Sequence, residues 1–317
     1  MKIIKPSFNI LPRDEQRGGL KAIEAAGRVC YKSEEKISDD SADTFVKGMI
    51  KRKHFAMLEH GDMIFEISDV HIFDNVAGEL QMFREKGMRT PMLEMTNIDC
   101  RYIISGNIRA WMELFGSAWL AGRYFIGHFD PIYTQGQGFY DEDADPDFRV
   151  RQIRYADLNS VEEKKAHIRQ TVKFTVDRGV SHEFVRHRAM SFAQESTRYC
   201  NYSLDKFGSE ITVIEPCYLV KHSEPYDLWK RSCMTAEVEY FTMLNLGLQP
   251  QEARAVLPHS IKTELVMTGT LGMWNNFFDL RARQITGKAH PQAAEVAVPL
   301  MEEMAIRFSD VFGGTVK

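Results

Sequence analysis

The chain has 317 residues, 44% of them hydrophobic and 26% charged, with a formal net charge of -4 at pH 7. That is enough apolar material for a sizeable core, and too little positive charge for a surface that binds many nucleic-acid phosphates. No run of eighteen apolar residues exists to span a bilayer, and Met1-Lys2-Ile3-Ile4-Lys5-Pro6 has no apolar signal core.

The five cysteines, at 30, 100, 200, 217 and 233, are widely spaced, with no Cys-x-x-Cys pair. They predict reduced thiols in a cytoplasmic protein, not a disulfide frame or a zinc site.

In chain order, residues 15–31 predict a helix with Leu20, Ile23, Ala26 and Val29 on one side. A second helix follows Asp39-Asp40-Ser41, buries Phe45, Met49 and Ile50, and ends near Lys53-His54. Met63–Ile67 alternates as a strand. Ile103-Ile104 is strand-like, and Asn107 to Leu120 reads as a helix rich in Trp, Met, Leu and Phe. Gln135-Gly136-Gln137-Gly138 and Asp141 to Asp147 read as an acidic loop. With no third glycine and no preceding strand, its two glycines are not a dinucleotide fingerprint. Val172–Val176 restores a strand, which Asp177-Arg178-Gly179 turns into a helix. Further helices are predicted at 226–246, closed by Gly247, and after Pro250. A long helical pattern then runs through Leu265, Thr268, Gly269, Gly272 and Trp274 to Arg281, and a final helix covers about 291–312. Periodicity alone gives mixed α and β, rich in helix.

Residues 178–203 concentrate the chemistry. Four arginines, two histidines, four serines, a threonine and two side-chain amides fall in this run, anchored by Phe184, Val185, Met190, Phe192 and Tyr199. Arginine presents a planar fork of permanently charged donors, suited to phosphate and carboxylate. Arg186, His187 and Arg188 set two forks beside an imidazole, and Ser191, Ser196, Thr197 and Arg198 add further donors. A turn from helix to loop near Met190 would add backbone N–H groups. The alternative is an ordinary solvated basic face. A helical zinc site is excluded by spacing, because His182 and His187 lie five residues apart where metal binding wants four.

Arg186-His187-Arg188, seven residues, then Ser196 and Arg198, with the flanks Asp177 to Glu183 and Ser196 to Ser203, resembles the signature of flavin-dependent thymidylate synthases. The resemblance implies an α+β domain with a central sheet flanked by helices. It implies thymidylate made from deoxyuridylate (dUMP), with methylenetetrahydrofolate as carbon donor, FAD as hydride carrier and NADPH as reductant. It also implies a homotetramer whose active sites several protomers share. Members pass quickly from the first strand to the Arg-His-Arg helix, whereas about a hundred residues, 69–170, intervene here as an insertion in a single domain.

Carried onto this chain, the resemblance puts Arg186, His187 and Arg188 at FAD, with Arg186 also near the nucleotide. Ser196, Thr197 and Arg198 match the nucleotide-phosphate loop, and Gln194 a polar position at substrate and flavin. Arg254 resembles a second nucleotide-binding arginine, and Arg281 the catalytic arginine that polarises the uracil ring. Asn276 matches a flavin-binding asparagine. His54 and His60 precede and close a His…Glu-His segment beside the flavin, and His290 with Gln292 resembles a later flavin-side segment. Glu183, in the substrate set, stands where many members have glutamine, Thr270 where some have asparagine, and Ala56 where some have a hydroxyl residue.

No cysteine has a base at clear spacing, Cys200 included, so no covalent cysteine–uracil adduct is predicted. Ser196 reads as a phosphate ligand and not a nucleophile. Arg254 and Arg281 are 27 residues apart, roughly 40 Å on one unbroken helix, so one small ligand reaches both only if the chain bends or different subunits supply them. Two rival readings are a flavoprotein of this fold without synthase activity and a basic-helix nucleic-acid-binding module.

Overall fold

The computed structural model describes residues 1–313 apart from 89, 91, 118, 140–145, 199 and 205–207. Tyr199 and most of the acidic run after Phe139 therefore lie outside the described residues. Ten strands are present among those described: β1 (Lys2–Ile4), β2 (Ser7–Ile10), β3 (Asp62–Ile67), β4 (Leu93–Ile98), β5 (Arg101–Asn107), β6 (Val150–Gln152), β7 (Arg169–Asp177), β8 (Ser191–Gln194), β9 (Thr212–Ile214) and β10 (Lys262–Thr270). The longer helices are α1 (Leu20–Tyr31), α2 (Ser41–Lys51), α3 (Val70–Glu85), α4 (Ile108–Ser117), α5 (Val161–His167), α6 (Arg178–Phe184), α7 (Glu224–Asn245), α8 (Leu271–Arg281) and α9 (Pro291–Arg307). No described helix is long and apolar enough to cross a membrane.

Two four-stranded antiparallel sheets dominate, where a single central sheet was expected. One runs β2-β7-β10-β8, the other β4-β5-β3-β6, and β1 and β9 form a separate parallel pair. β7 and β10 pair along their whole length, Lys262 opposite Asp177 and Thr270 opposite Arg169. Leu265 to Thr270 are all buried, as are Val172, Phe174 and Val176.

This explains the main departure from the sequence reading. The supposed helix through Leu265 and Thr268 is a strand as far as Thr270, and only Leu271–Arg281 is helical. A strand buried on both faces has no alternation, and its continuous apolar run also satisfies a helical template. Thr270 marks the switch: its side chain accepts from the Met273 N–H at 3.2 Å, an N-cap for α8.

The first helix likewise begins at Leu20, not 15, because Arg17, Gly18 and Gly19 all take positive φ (47°, 68° and 76°). That left-handed run cannot continue a right-handed helix.

Residues 69–170 contribute three strands of the second sheet, but no core of their own. Ile72, Val76, Phe83, Ile104, Ile108, Trp111 and Tyr133 share one apolar cluster with Leu20, Ile23, Phe45, Val46 and Met49 of α1 and α2. The join is tight at two glycines. A Cβ on Gly18 would lie 2.6 Å from Ile108 Cδ1, and one on Gly61 would strike the Gly18 carbonyl oxygen, with Ile23 Cδ1 2.8 Å away. Arg17 adds a polar clasp, its Nε donating to Asp130 at 2.6 Å and its two Nη atoms to Asp43 at 2.7 and 2.8 Å.

Gly61→Ala is expected to cost about 2–3 kcal/mol, since backbone must move to admit the methyl group. Urea unfolding of the variant checks this. Removing residues 69–150 is expected to abolish cooperative unfolding altogether, because it strips one side from the α1–α2 core; circular dichroism on heating measures it.

Candidate active site

The signature segment is a helix, a turn and a strand. Asp177 ends β7 and caps α6, its carboxylate accepting from the Val180 N–H at 2.8 Å and from Gln292 Nε2 at 2.9 Å. The helix stops at Phe184, earlier than the break expected near Met190. Residues 185–190 wind as tight turns, with the Arg188 N–H donating to Arg186 O and that of Met190 to His187 O, both at 2.9 Å. Phe184 and Met190 are buried anchors, whereas Arg186 and Arg188 are exposed. Chain direction then reverses into β8, antiparallel to β10.

The turn forms one wall of a cavity of about 700 Å³, lined by Arg186, His187, Arg188, Met190, Thr270, Asn276 and Arg281. Glu94 of β4 and Glu162 and Lys165 of α5 complete it. Nothing in the local sequence marked these three: Glu162 and Lys165 sit on a helix capped by Ser160 and Glu163, and Glu94 on a plain strand.

Within the cavity Arg281 is firmly held. Its Nη1 donates to Glu183 Oε2 at 2.8 Å, Nη2 to the Glu183 carbonyl at 3.1 Å, and Nε to His187 Nε2 at 3.3 Å. His187 is 7% exposed and packs on Phe277 with ring centroids 5.0 Å apart. Burial, with the Arg281 charge beside it, lowers its pKa to about 4, so the ring is neutral near pH 7.

Thr197 and Arg254 lie elsewhere. With Arg178, His182, Pro258, His259 and Ile261 they line a second cavity of about 330 Å³, where Arg254 Nη1 donates to Thr197 Oγ1 at 3.0 Å. Ile261 immediately precedes β10 and Thr270 ends it. Those two lining residues mark opposite ends of a nine-residue strand, while His182 of the second cavity and Arg186 of the first lie only four residues apart on the signature segment.

Other expected site residues line neither cavity. Gln194 Nε2 donates to Ser181 Oγ at 2.8 Å and Thr263 Oγ1 at 3.2 Å, tying α6 to β10. Ser196 Oγ accepts from the Arg198 N–H at 3.3 Å, and its own N–H donates to Cys30 O. Buried Glu195, which the sequence reading passed over, pairs with Lys262 Nζ at 2.8 Å. His54 Nδ1 lies 3.2 Å from the Tyr31 hydroxyl, and His290 packs edge-on against Tyr218. His60 is a core histidine, with Nδ1 2.8 Å from Thr268 Oγ1. Cys200 is buried, and no cysteine lines either cavity.

The sequence profile of the family described as thymidylate synthase complementing protein matches residues 14–76 and 151–308, more than half of the chain. The chain belongs to that family.

Relatives within it include flavin-dependent thymidylate synthases. That of Pyrococcus furiosus is 34% identical over 140 residues, covering 43% of this chain and 55% of that protein. Those of Corynebacterium glutamicum and Saccharolobus solfataricus are each 28% identical, over 153 and 171 residues, covering 44% and 54% of this chain and 58% and 62% of theirs. This family member thus spans little more than half the length of the curated relatives it matches. Among solved structures, the UMP/dUMP methylase PolB of Streptomyces cacaoi, bound with 5-Br UMP, is similar with a TM-score of 0.43 and 13% identity over 99% of this chain and 95% of that one. No functional argument rests on so distant a likeness. The profile's two stretches leave residues 77–150 between them.

His60, His167 and His187 all fold with their pKa lowered from 6.5 to about 4, chiefly by burial. The unfolded chain therefore takes up these protons first as pH falls. The stability they contribute is full above about 6.5 and is lost towards pH 4. Asp62, raised to about 6 by burial, acts in the opposite sense, as do Asp177 and Glu79, whose carboxyls burial also pushes up. The melting temperature is expected to drop steadily between pH 6.5 and 4, and less steeply in His60→Gln; calorimetry across that range checks both.

Proposed function

We propose that this protein is a flavin-dependent thymidylate synthase, which methylates dUMP to dTMP with methylenetetrahydrofolate as carbon donor. The observation that carries this reading is the meeting of Arg186, His187, Arg188, Asn276 and Arg281 around one cavity, on a chain of this family. FAD fits that wall: Arg186, Arg188 and Lys165 supply cations for a pyrophosphate, and Asn276 an amide for a ring edge. When bound, the flavin supplies hydride, renewed from NADPH.

The protein's own part is to bind, orient and stabilise charge. Methyl transfer needs an electron-rich uracil carbon, so negative charge grows on the uracil carbonyls. Arg281 is a fixed guanidinium in a partly buried wall, and such preorganised stabilisation is worth roughly 3 kcal/mol. Thr197 and Arg254, with Ser196 and Arg198 on the same loop, hold the nucleotide phosphate. The turnover needs no covalent cysteine, a reading supported by the absence of any cysteine from both cavity walls.

The placing of Arg254 and Arg281 on the walls of two different cavities of one chain supports the further step that the active site is shared. A homotetramer in which one copy's phosphate loop faces another copy's Arg281 brings them together. Residues 77–150, which the family's profile leaves between its two stretches, are then an insertion within its domain that walls the cofactor side through Glu94, beside Glu162 and Lys165 of the matched part.

Purified protein given dUMP, methylenetetrahydrofolate and NADPH is expected to form dTMP, to lose that activity when FAD is stripped and to regain it on adding FAD. No product despite bound flavin would overturn the synthase reading in favour of a flavoprotein of the same fold. No flavin binding would overturn the cofactor assignment as well.

A further inference from the structure

Arg281 makes three hydrogen bonds, and together they do more than anchor it. A guanidinium has five N–H donors. Glu183 takes one from Nη1 with its carboxylate and one from Nη2 with its carbonyl, and His187 takes the Nε donor. Two donors remain, one on each Nη. A neutral imidazole carries a single proton, and His187 Nε2 faces a donor, so that nitrogen must offer its lone pair and the proton must sit on Nδ1.

We propose that Glu183 is a positioning residue which aims Arg281 and, through it, sets the tautomer of His187. The chain carboxylate–guanidinium–imidazole spans α6, α8 and the turn between α6 and β8, so it also locks those elements in register at the cavity wall. A glutamate or a glutamine at this position would each place an acceptor oxygen at Arg281 Nη1. What the position requires is then the acceptor oxygen, and direct contact with the nucleotide is not its role. The inference rests on the reading of the site as a thymidylate synthase only for its kinetic test.

In that test Glu183→Ala is expected to lower kcat for dTMP formation about tenfold, the loss of one charge-assisted hydrogen bond, while KM for dUMP moves by less than about twofold. Glu183→Gln is expected to recover most of the lost kcat. A raised KM with unchanged kcat in Glu183→Ala would make Glu183 a direct nucleotide ligand and overturn the proposal. So would a Glu183→Gln enzyme as slow as Glu183→Ala.

A second readout does not depend on turnover. In flavin-loaded protein with 15N-labelled histidine, the His187 signals, assigned by their loss in His187→Gln, are expected to show the Nδ1–H form in wild type and Glu183→Gln, and a mixture in Glu183→Ala. An Nε2–H form in the wild type, or a single unchanged form in Glu183→Ala, contradicts the proposal. If these spectra behave as expected but no dTMP is formed, the positioning role stands and the assigned reaction falls.

Discussion

Pairing between β7 and β10 is the constraint from which the rest of the molecule takes its place. Nine consecutive registered pairs, mostly buried, fix where β7 gives way to α6 and where β10 gives way to α8. Because the strands are antiparallel, those two exits lie at opposite ends. α6 then runs back and delivers the Arg186–Arg188 turn to the end where α8 starts, and Met190 packs onto Gly269 there. β8 returns along β10 and carries Ser196 and Thr197 to the other end, beside Arg254. One short signature thus serves both cavities, through Arg178, His182 and Thr197 at one and Arg186, His187 and Arg188 at the other.

That geometry also shows which parts of the site the sequence could reveal. The cationic wall was legible because arginine, histidine and amide residues cluster at fixed spacing and their chemistry is tied to residue type. Its outer rim was not, since Glu94, Glu162 and Lys165 become neighbours of Arg188 only through the packing of the second sheet and α5. Gln194 and His60 show the converse. Both are polar residues expected at the flavin, and both spend their hydrogen bonds on scaffold, Gln194 between α6 and β10 and His60 on the Thr268 hydroxyl.

The fold was legible to a similar degree. Amphipathic α1 and α2, with one buried stripe each, follow from their period; β3 is a strand as read, but Met63, Ile64, Phe65 and Ile67 are all buried and do not alternate. β10 was misread because a doubly buried strand removes the alternation that distinguishes strand from helix. The 27-residue interval between Arg254 and Arg281 is an extended strand followed by a helix, not one long helix. The first half of residues 69–170 was seen as folded, and the second half was read as an acidic loop. That they share the α1–α2 core, through Ile108, Trp111 and Tyr133, could not be read from a sequence in which those residues lie far beyond Leu20.

The central claim is that catalysis joins the Arg254 end of one copy to the Arg281 end of another. The most direct measurement mixes two variants, Arg254→Ala and Arg281→Ala, each inactive alone, after dissociating and reassociating the subunits. Shared sites predict that the mixture regains dTMP formation, because some sites then combine an intact phosphate loop from one variant with an intact cofactor wall from the other. A mixture as inactive as its components, with mixed oligomers shown to have formed, would contradict the account.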